Sequence, residues 1–460
     1  MILTCLLAAP APDSLARLKE SGLTLSLAER ATGLLGIAAM LVIAYLISYD
    51  RKRIPWRLVA SGLLLQAAFG LVVLKTAPGR WVFERVGEIV NGLLGFTANG
   101  ARFVFGNLIG GNVPVGLPGA GDTLDTSAGL AANTGAFFAF SVLPTIIFFS
   151  SLMSVLYHLG IMQLVVKAIA WVMQRSLGTS GAETLSASGN IFLGQTEAPL
   201  LIKPFVKTAT SSELITIMVG GFATVSGGVL AAYVLMLQGT FPSIAGHLLA
   251  ASVMNAPAGL LLSKMILPET AVPATKDTLH IKIEKPDANV IEAAASGAAV
   301  GVQLALNVAG MLMAFIALIA LLNFLVGWAG NQVGIPGLSI EAILGTILRP
   351  LAWLMGVPWA DTAYVGGLIG LKTVLNEFVA YGRFANQLAT GAVTIQPRSA
   401  IIAAYALLGF ANFSSIGIQI GGIGGLAPER RGEIAKFGLR AMIAGNLAAF
   451  MSASLAGMLL

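Results

Sequence analysis

Long apolar runs separated by short clusters of charge set the pattern of this chain. A helix needs about 20 predominantly apolar residues to cross the hydrocarbon core of a bilayer. Ala31–Tyr49 is free of charge and predicts the first span; Asp50-Arg51-Lys52-Arg53 and Arg57 follow at once. Basic residues at the end of a span mark the cytoplasmic side, so Leu58–Leu74 returns outward and the N-terminus lies outside. Residues 79–122 mix Arg80, Glu84, Arg85, Glu88 and Arg102 with apolar positions before a Gly/Pro-rich run, GGNVPVGLPGAGD. That mixture predicts an interfacial helix and a loop, not a span. The run lacks the GK[ST] ending and the strand–helix setting of a phosphate-binding loop. Asn133–Tyr157 is the third span, directed inward, and 161–175 is a further interfacial helix beside His158, Lys167 and Arg175.

Gly181–Lys207 is apolar but interrupted by Ser, Gly, Asn, Gln, Glu and Pro, opens near basic residues and closes on Lys203 and Lys207. A segment that starts and ends on one side reads as a re-entrant hairpin. Leu214–Leu262 carries no Asp, Glu, Lys or Arg, and the turn at 239–243 divides it into an outward and an inward helix. Residues 264–290 hold an extended hydrophilic loop (Lys276, Asp277, His280, Lys282, Glu284, Lys285, Asp287), again cytoplasmic. A sixth span at 298–326, an outer interfacial segment near 339–356 and a second broken hairpin at 361–390 come next. The seventh span, Ala400–Leu426, points inward to Glu429-Arg430-Arg431; the eighth, 438–459, ends outside. The pattern predicts an all-α polytopic membrane protein with about eight spans, two hairpins and interfacial helices.

Composition agrees with lipid as the main solvent. The chain has 460 residues, 56% hydrophobic and 10% charged, with a mean hydropathy of +0.85, against about 25% charged residues in soluble domains. The net charge of +6 sits at the ends of spans, so it reports topology and not a nucleic-acid partner. A single cysteine, Cys5, excludes an internal disulfide, a cysteine zinc site and an iron–sulfur cluster. His158, His247 and His280 are too scattered for a metal set. The N-terminal MILTCLLAAPAPDS has no basic leader and Cys5 is a poor lipoprotein site, so this end is expected to stay uncleaved.

The two hairpins resemble each other. The first carries Gln195-Thr196-Glu197-Ala198 at its break and the second Leu375-Asn376-Glu377-Phe378. The next helix in each half has a polar interruption, Ala223-Thr224-Val225-Ser226-Gly227-Gly228 and Ala411-Asn412-Phe413-Ser414-Ser415, and an apolar helix closes each unit. One hairpin entering from inside and the other from outside makes the repeats inverted, and such repeats place a substrate near the bilayer midplane. Irregular backbone at that depth is tolerated only where protein, water or ligand satisfies it. An ionised carboxylate there costs roughly 2.5–3.5 kcal/mol on insertion scales, which marks Glu197 and Glu377 as candidates for a ligand or an ion. The alternative is that each caps a half-helix or pairs with Lys203, Lys372 or Arg383. Asn190, Thr224 and Ser415 could likewise satisfy local backbone. Phe410, Asn412 and Ser415 fall together where a helix should break.

At SASGNIFLGQTEAPLLIKPF (186–205), NEFVAY (376–381) and GFANFSSIGIQIGG (409–422) the sequence resembles the concentrative nucleoside transporters. The resemblance implies a homotrimer in which a transport domain of hairpins and broken helices slides past a scaffold as an elevator. It implies scaffold-side N-terminal helices at 1–160, a first hairpin repeat at 161–265, and a loop with scaffold and interfacial helices at 266–358. A second hairpin repeat then occupies 359–460. It implies nucleobase contacts from Gln195, Thr196, Glu197 and Val229, ribose contacts from Glu377, Asn412 and Ser415, and packing by Phe410. It further implies a sodium ion held by the side chains of Asn190 and Thr224 and the carbonyls of Leu193 and Val225.

The chemistry agrees with a neutral guest that carries a flat base and a diol. Gln and Thr offer donors and acceptors to a base edge, and a carboxylate accepts strongly from hydroxyls. A phosphorylated ligand calls for Arg or Lys, which the three short motifs GQTEAPL, NEFVAY and FANFSS lack. The expectation is therefore sodium-driven import of nucleosides of the uridine, cytidine and adenosine class, with no enzymatic activity and no cofactor. The site would lie in a bacterial inner membrane with both termini periplasmic. Proton coupling, or another small polar metabolite, is the alternative; an intramembrane hydrolase would need clustered acids, His or Arg that the pattern does not show.

Overall fold

The computed structural model describes residues 27–110, 112–118, 124–125, 131–133, 138–276 and 287–459. The N-terminal segment, residues 277–286 of the hydrophilic loop and part of the Gly/Pro-rich run lie outside the described residues. Helix α1 (Leu27–Leu46) ends at the charged turn, where Asp50 accepts from Lys52 N at 3.1 Å and caps the short helical turn Arg51–Arg53. Pro55 precedes α2 (Trp56–Lys75), and Thr76 caps the 29-residue amphipathic α3 (Ala77–Phe105). Beyond it, Asn112–Pro114 pairs antiparallel with Ala131–Asn133, and Leu117–Pro118 with Leu124–Asp125. Asn133 therefore lies in a ladder opposite Asn112, and the third span starts later than its composition indicates. A π-helical turn, Phe138–Val142, leads into α4 (Leu143–His158).

The first hairpin follows α5 (Ile161–Leu177), which two left-handed glycines, Gly160 and Gly178, bracket. It consists of α6 (Gly181–Gly189), an irregular tip and a 3-10 turn, Ala198–Ile202, running into α7 (Lys203–Val206). Then come α8 (Ser211–Ala223), a break at residues 224–226, α9 (Gly227–Leu237) and α10 (Ile244–Ile266). Capping boxes start α6 (Ser180 with Glu183) and α8 (Thr210 with Glu213), satisfying N–H groups that have no partner within their own helices. Lys264, expected in the hydrophilic loop, is instead buried in the last turn of α10. Its Nζ lies 2.6 Å from Glu183 and donates to Ser212 Oγ at 2.9 Å, pinning the base of the hairpin.

The second half opens with α11 (Val290–Gln332), a 43-residue helix that overruns the expected span at both ends. Asn289 caps it through Glu292 N at 2.9 Å, which makes its polar first turn helical. Helix α12 (Ile340–Leu354), the second hairpin of α13 (Thr362–Val374) and α14 (Glu377–Ala389), then α15 (Pro397–Leu407), α16 (Phe413–Leu426) and α17 (Arg431–Leu459) complete the chain. The seventh span is thus two half-helices. Among the described residues six helical segments are long and apolar enough to cross a membrane; α1 and α16 are shorter apolar helices.

The order hairpin, broken helix, closing helix occurs twice, and the packing is reciprocal. Helix α8 packs on α17, α15 packs on α10, and the two closing helices pack on each other. Each closing helix also sends one asparagine into the opposing break of its own unit: Asn255 Nδ2 donates to Ala223 O at 2.7 Å, and Asn446 Nδ2 to Ala411 O at 2.9 Å. The centre of this body is almost fully buried, whereas α11 exposes Leu306, Met313 and Phe324, as a lipid-facing surface does. Helix α4 lies between α11 and α9.

Candidate functional site

Both tips and both breaks meet in the interior. Thr224 and Ser226 adopt extended backbone, which ends α8, and Gly227-Gly228 restarts the chain as α9. A break exposes carbonyls of one half-helix and N–H groups of the other. Here Thr224 O accepts from Phe410 N at 3.3 Å, and Gly227 N donates to Phe192 O of the hairpin tip at 2.8 Å. Asn190, at the end of α6, is fully buried; its Nδ2 donates to Ser186 O at 3.0 Å, while its Oδ1 has no protein partner. Thr224 Oγ1 donates to Gly220 O at 2.9 Å and keeps its lone pairs. Asn190 and Thr224 both lie against Gly220: Thr224 bonds its carbonyl, and a Cβ there would stand 3.0 Å from Asn190 Nδ2. Leu193 and Val225, both buried, lie in the tip and the break that these contacts join. Neutral oxygens of this kind suit a hard cation.

The second break crosses the first at Gly409. Its φ is +109°, and a Cβ there would fall 2.6 Å from Phe222 O and 2.9 Å from Ala223 O, so only glycine allows the crossing. Asn412 caps α16 through Ser415 N at 2.9 Å, and its Nδ2 donates to Glu377 Oε2 at 2.8 Å. Asn376 caps α14 through Val379 N at 2.9 Å, which sets Glu377 in the first turn, where the helix dipole favours a carboxylate. Tyr233 of α9 donates to Glu377 Oε1 at 3.2 Å and stacks on Tyr381 with centroids 4.3 Å apart. Lys372 Nζ donates to Ala406 O at 3.0 Å and Leu408 O at 3.2 Å, closing the carbonyl end of α15.

Between these elements and α11 lies a cavity of about 310 Å³. Gln195, Thr196, Glu197 and Val229 line it from the first unit, and Glu377, Phe410, Asn412 and Ser415 from the second. Gln195 Nε2 bridges the two by donating to Ser415 Oγ at 3.2 Å. The α11 wall is apolar at Leu304, Val308 and Met311, with Gln303 and Asn307 as its polar members. All eight candidate ligand-contacting residues thus border one space, and the two carboxylates share it. The local alternative holds in one respect: Glu197 Oε2 accepts from Gly194 N at 3.1 Å and closes its own turn. Two of the three cations it named go elsewhere. Arg383 pairs with Glu341 and Lys203 is exposed, while Lys372 donates to the α15 carbonyls and its charge also acts on Glu377.

Sequence reasoning missed Tyr233, Gln419 and the polar pair on α11. Tyr233 gives no signal inside an uncharged apolar run. Gln419 is a polar residue in the glycine-rich turn of α16, fully buried, and its Nε2 donates to Gln195 Oε1 at 3.1 Å and Met218 O at 3.0 Å.

Three family descriptions match the sequence. "Na+ dependent nucleoside transporter N-terminus" covers residues 35–108, "Nucleoside recognition" 139–240, and "Na+ dependent nucleoside transporter C-terminus" 247–457. The uncharacterized transporter YutK of Bacillus subtilis is 46% identical, covering 93% of this chain and 98% of its own. The rat sodium/nucleoside cotransporter 1 is 42% identical over 94% of this chain and 64% of its own length. Among solved structures, CNTnw in an inward-facing substrate-bound state superposes with a TM-score of 0.82 at 42% identity, over 94% of this chain and 98% of that one. A CNTnw variant in an outward-facing state superposes at 0.84, with 42% identity over 94% and 98%.

Proposed function

Because the chain belongs to the Na+-dependent, concentrative nucleoside transporter family, we propose that it imports nucleosides across a bacterial inner membrane by symport with sodium. The observation that carries this is the shared cavity: two carboxylates from opposite repeats face one small space with no Lys or Arg among its described lining residues. Gln195, Thr196, Glu197 and Val229 take the base, and Glu377, Asn412 and Ser415 take the ribose hydroxyls. Phe410 packs on the guest. Glu377 is suited to a diol because Tyr233 and Asn412 fix its two oxygens toward the cavity, and a carboxylate acceptor binds hydroxyls more strongly than a neutral one.

Sodium is held by Asn190, Thr224 and the carbonyls of Leu193 and Val225. The partnerless Oδ1 of Asn190 favours an ion over a proton, since a buried acceptor without a donor is costly unless a ligand satisfies it. The tip that carries Asn190 and Leu193 continues directly into Gln195–Glu197, so the ion orders the segment that meets the base. Alternating access is elevator-like. Residues 161–265 and 359–460 carry the moving body, which slides against the scaffold to which α4 (within 1–160) and α11 (within 266–358) belong. The assembly is a homotrimer with both termini periplasmic, and its guests are of the uridine, cytidine and adenosine class.

Uptake of labelled uridine, cytidine and adenosine into proteoliposomes, with and without an inward sodium gradient, tests this. Accumulation that follows the sodium gradient is expected. Accumulation driven by a pH gradient in sodium-free buffer would replace the ion, and none for any nucleoside would remove the proposal.

A further inference from the structure

Gln195 lines the cavity with an amide that could face the guest either way round. Its two ends differ chemically: Nε2 donates and Oε1 accepts. The surroundings remove the ambiguity. Met218 O is a backbone carbonyl, an acceptor only, and it lies 3.0 Å from Gln419. The atom of Gln419 facing it must therefore be Nε2, and the opposite orientation would set two oxygens together. The same Nε2 lies 3.1 Å from Gln195, so the Gln195 atom there must be Oε1. Gln195 Nε2 is then the end that faces Ser415 Oγ at 3.2 Å, and an amide nitrogen has a second hydrogen to give. Packing keeps the three groups in register. A Cβ on Gly221 of α8 would lie 2.8 Å from Gln195 Cβ and 2.9 Å from Gln419 Nε2, so the glycine makes the notch that both amides occupy. Gln419 does not line the cavity; it is fully buried behind it.

We infer that Gln419 is a positioning residue that locks the Gln195 amide with its N–H toward the nucleoside, so that the site selects bases presenting an acceptor there. The inference rests on Gln195 contacting the base, as proposed above. Its chemical consequence is discrimination between bases that exchange donor and acceptor on one edge. Uridine and cytidine do so at position 4 (C=O against NH2) and at N3.

The test is the half-saturation concentration for uridine and for cytidine in proteoliposomes made from wild-type protein, Gln419→Met, Gln419→Glu and Gln195→Met. Methionine cannot donate, and a carboxyl has at most one proton where the amide has two, so either Gln419 variant frees the Gln195 amide to turn. The poorer of the two nucleosides should gain on the better by about five- to tenfold, the size of one hydrogen bond. Maximal rate and sodium half-saturation should stay within twofold, a pattern that general loosening of the fold would not produce. Gln419→Glu preserves side-chain volume and decides the matter if Gln419→Met does not melt cooperatively in detergent. A wild-type ratio near one, or a wild-type ratio retained in the Gln419 variants, overturns the inference. If those variants keep the ratio while Gln195→Met raises both constants, only the locking role falls. If Gln195→Met leaves both constants unchanged, the base-contact assignment falls and takes the locking role with it.

Discussion

Adjacent glycines in α8 serve different neighbours, which makes the two halves of the site separable by single methyl groups. Gly220 leaves room for the Asn190 amide and Gly221 for Gln195 and Gln419. Overpacking a tight interior costs about 1–3 kcal/mol, roughly one factor of ten or more in a binding constant. Gly220→Ala should therefore raise the sodium half-saturation concentration of uptake more than the nucleoside one, and Gly221→Ala should do the reverse. Equal effects of both substitutions on both constants would show that the two sites are not distinct. Glu377 has a sharper role. Its oxygens are already held by Tyr233 and Asn412, so Glu377→Gln keeps the shape and removes the charge. Replacing a charge-assisted acceptor costs about 1.5–3 kcal/mol, and uridine uptake at sub-saturating concentration should fall by roughly ten- to a hundredfold. Wild-type uptake in that variant would remove Glu377 from the site.

At the scale of elements, each irregular segment is stabilised by a polar side chain from a regular one. The carbonyl end of α15 receives Lys372, and the breaks receive Asn255 and Asn446. Asn446→Leu leaves Ala411 O without its donor, and a buried group so orphaned costs about 1–3 kcal/mol; the melting temperature in detergent should drop, whereas Ser296→Ala at the exposed start of α11 should leave it unchanged. Outside the spans, Glu341 of α12 pairs with Arg383 of α14. Burial works to raise its carboxyl, but its own backbone N–H, Arg383 and Asn323 outweigh this and hold it below the usual range. A depressed folded value means that stability is present above the ordinary carboxylate range, about pH 4, and is lost as pH falls through the folded value. The acid-side decline in melting temperature should thus be shallower in Glu341→Gln. The hairpins, the breaks and both carboxylates were legible in the sequence because each violates what lipid demands of a helix. Asn255, Asn446, Tyr233 and Gln419 were not, because a lone polar residue in an apolar run names no partner until two distant segments are brought together. The overlong α11 escaped for a different reason: a capped polar turn looks like loop when only hydropathy is read.

Across the whole molecule, the proposed ion and guest positions are joined through one short piece of chain. Residues 190–197 form the tip of the first hairpin, with Asn190 buried at one end and Glu197 at the cavity on the other. Gly227 N and Phe192 O tie the middle of that tip to the restart of α9, from which Val229 reaches the same cavity. An ion that satisfies Asn190 Oδ1 therefore restricts the backbone on which Gln195 and Glu197 are mounted, and each ligand then lowers the ordering cost of the other. Such coupling is reciprocal: the factor by which sodium tightens nucleoside binding equals the factor by which nucleoside tightens sodium binding. Both factors can be read from ligand-dependent melting, since a ligand that binds only the folded state stabilises it by RT ln(1 + [L]/Kd). Uridine should raise the melting temperature in sodium buffer and much less in choline buffer, and sodium should raise it further when uridine is present. Asn190→Leu removes the amide oxygen and puts an apolar group at the proposed ion position. In that variant the uridine shift should be the same in both buffers, and a sodium-dependent shift that survives it would place the coupling ion elsewhere in the chain.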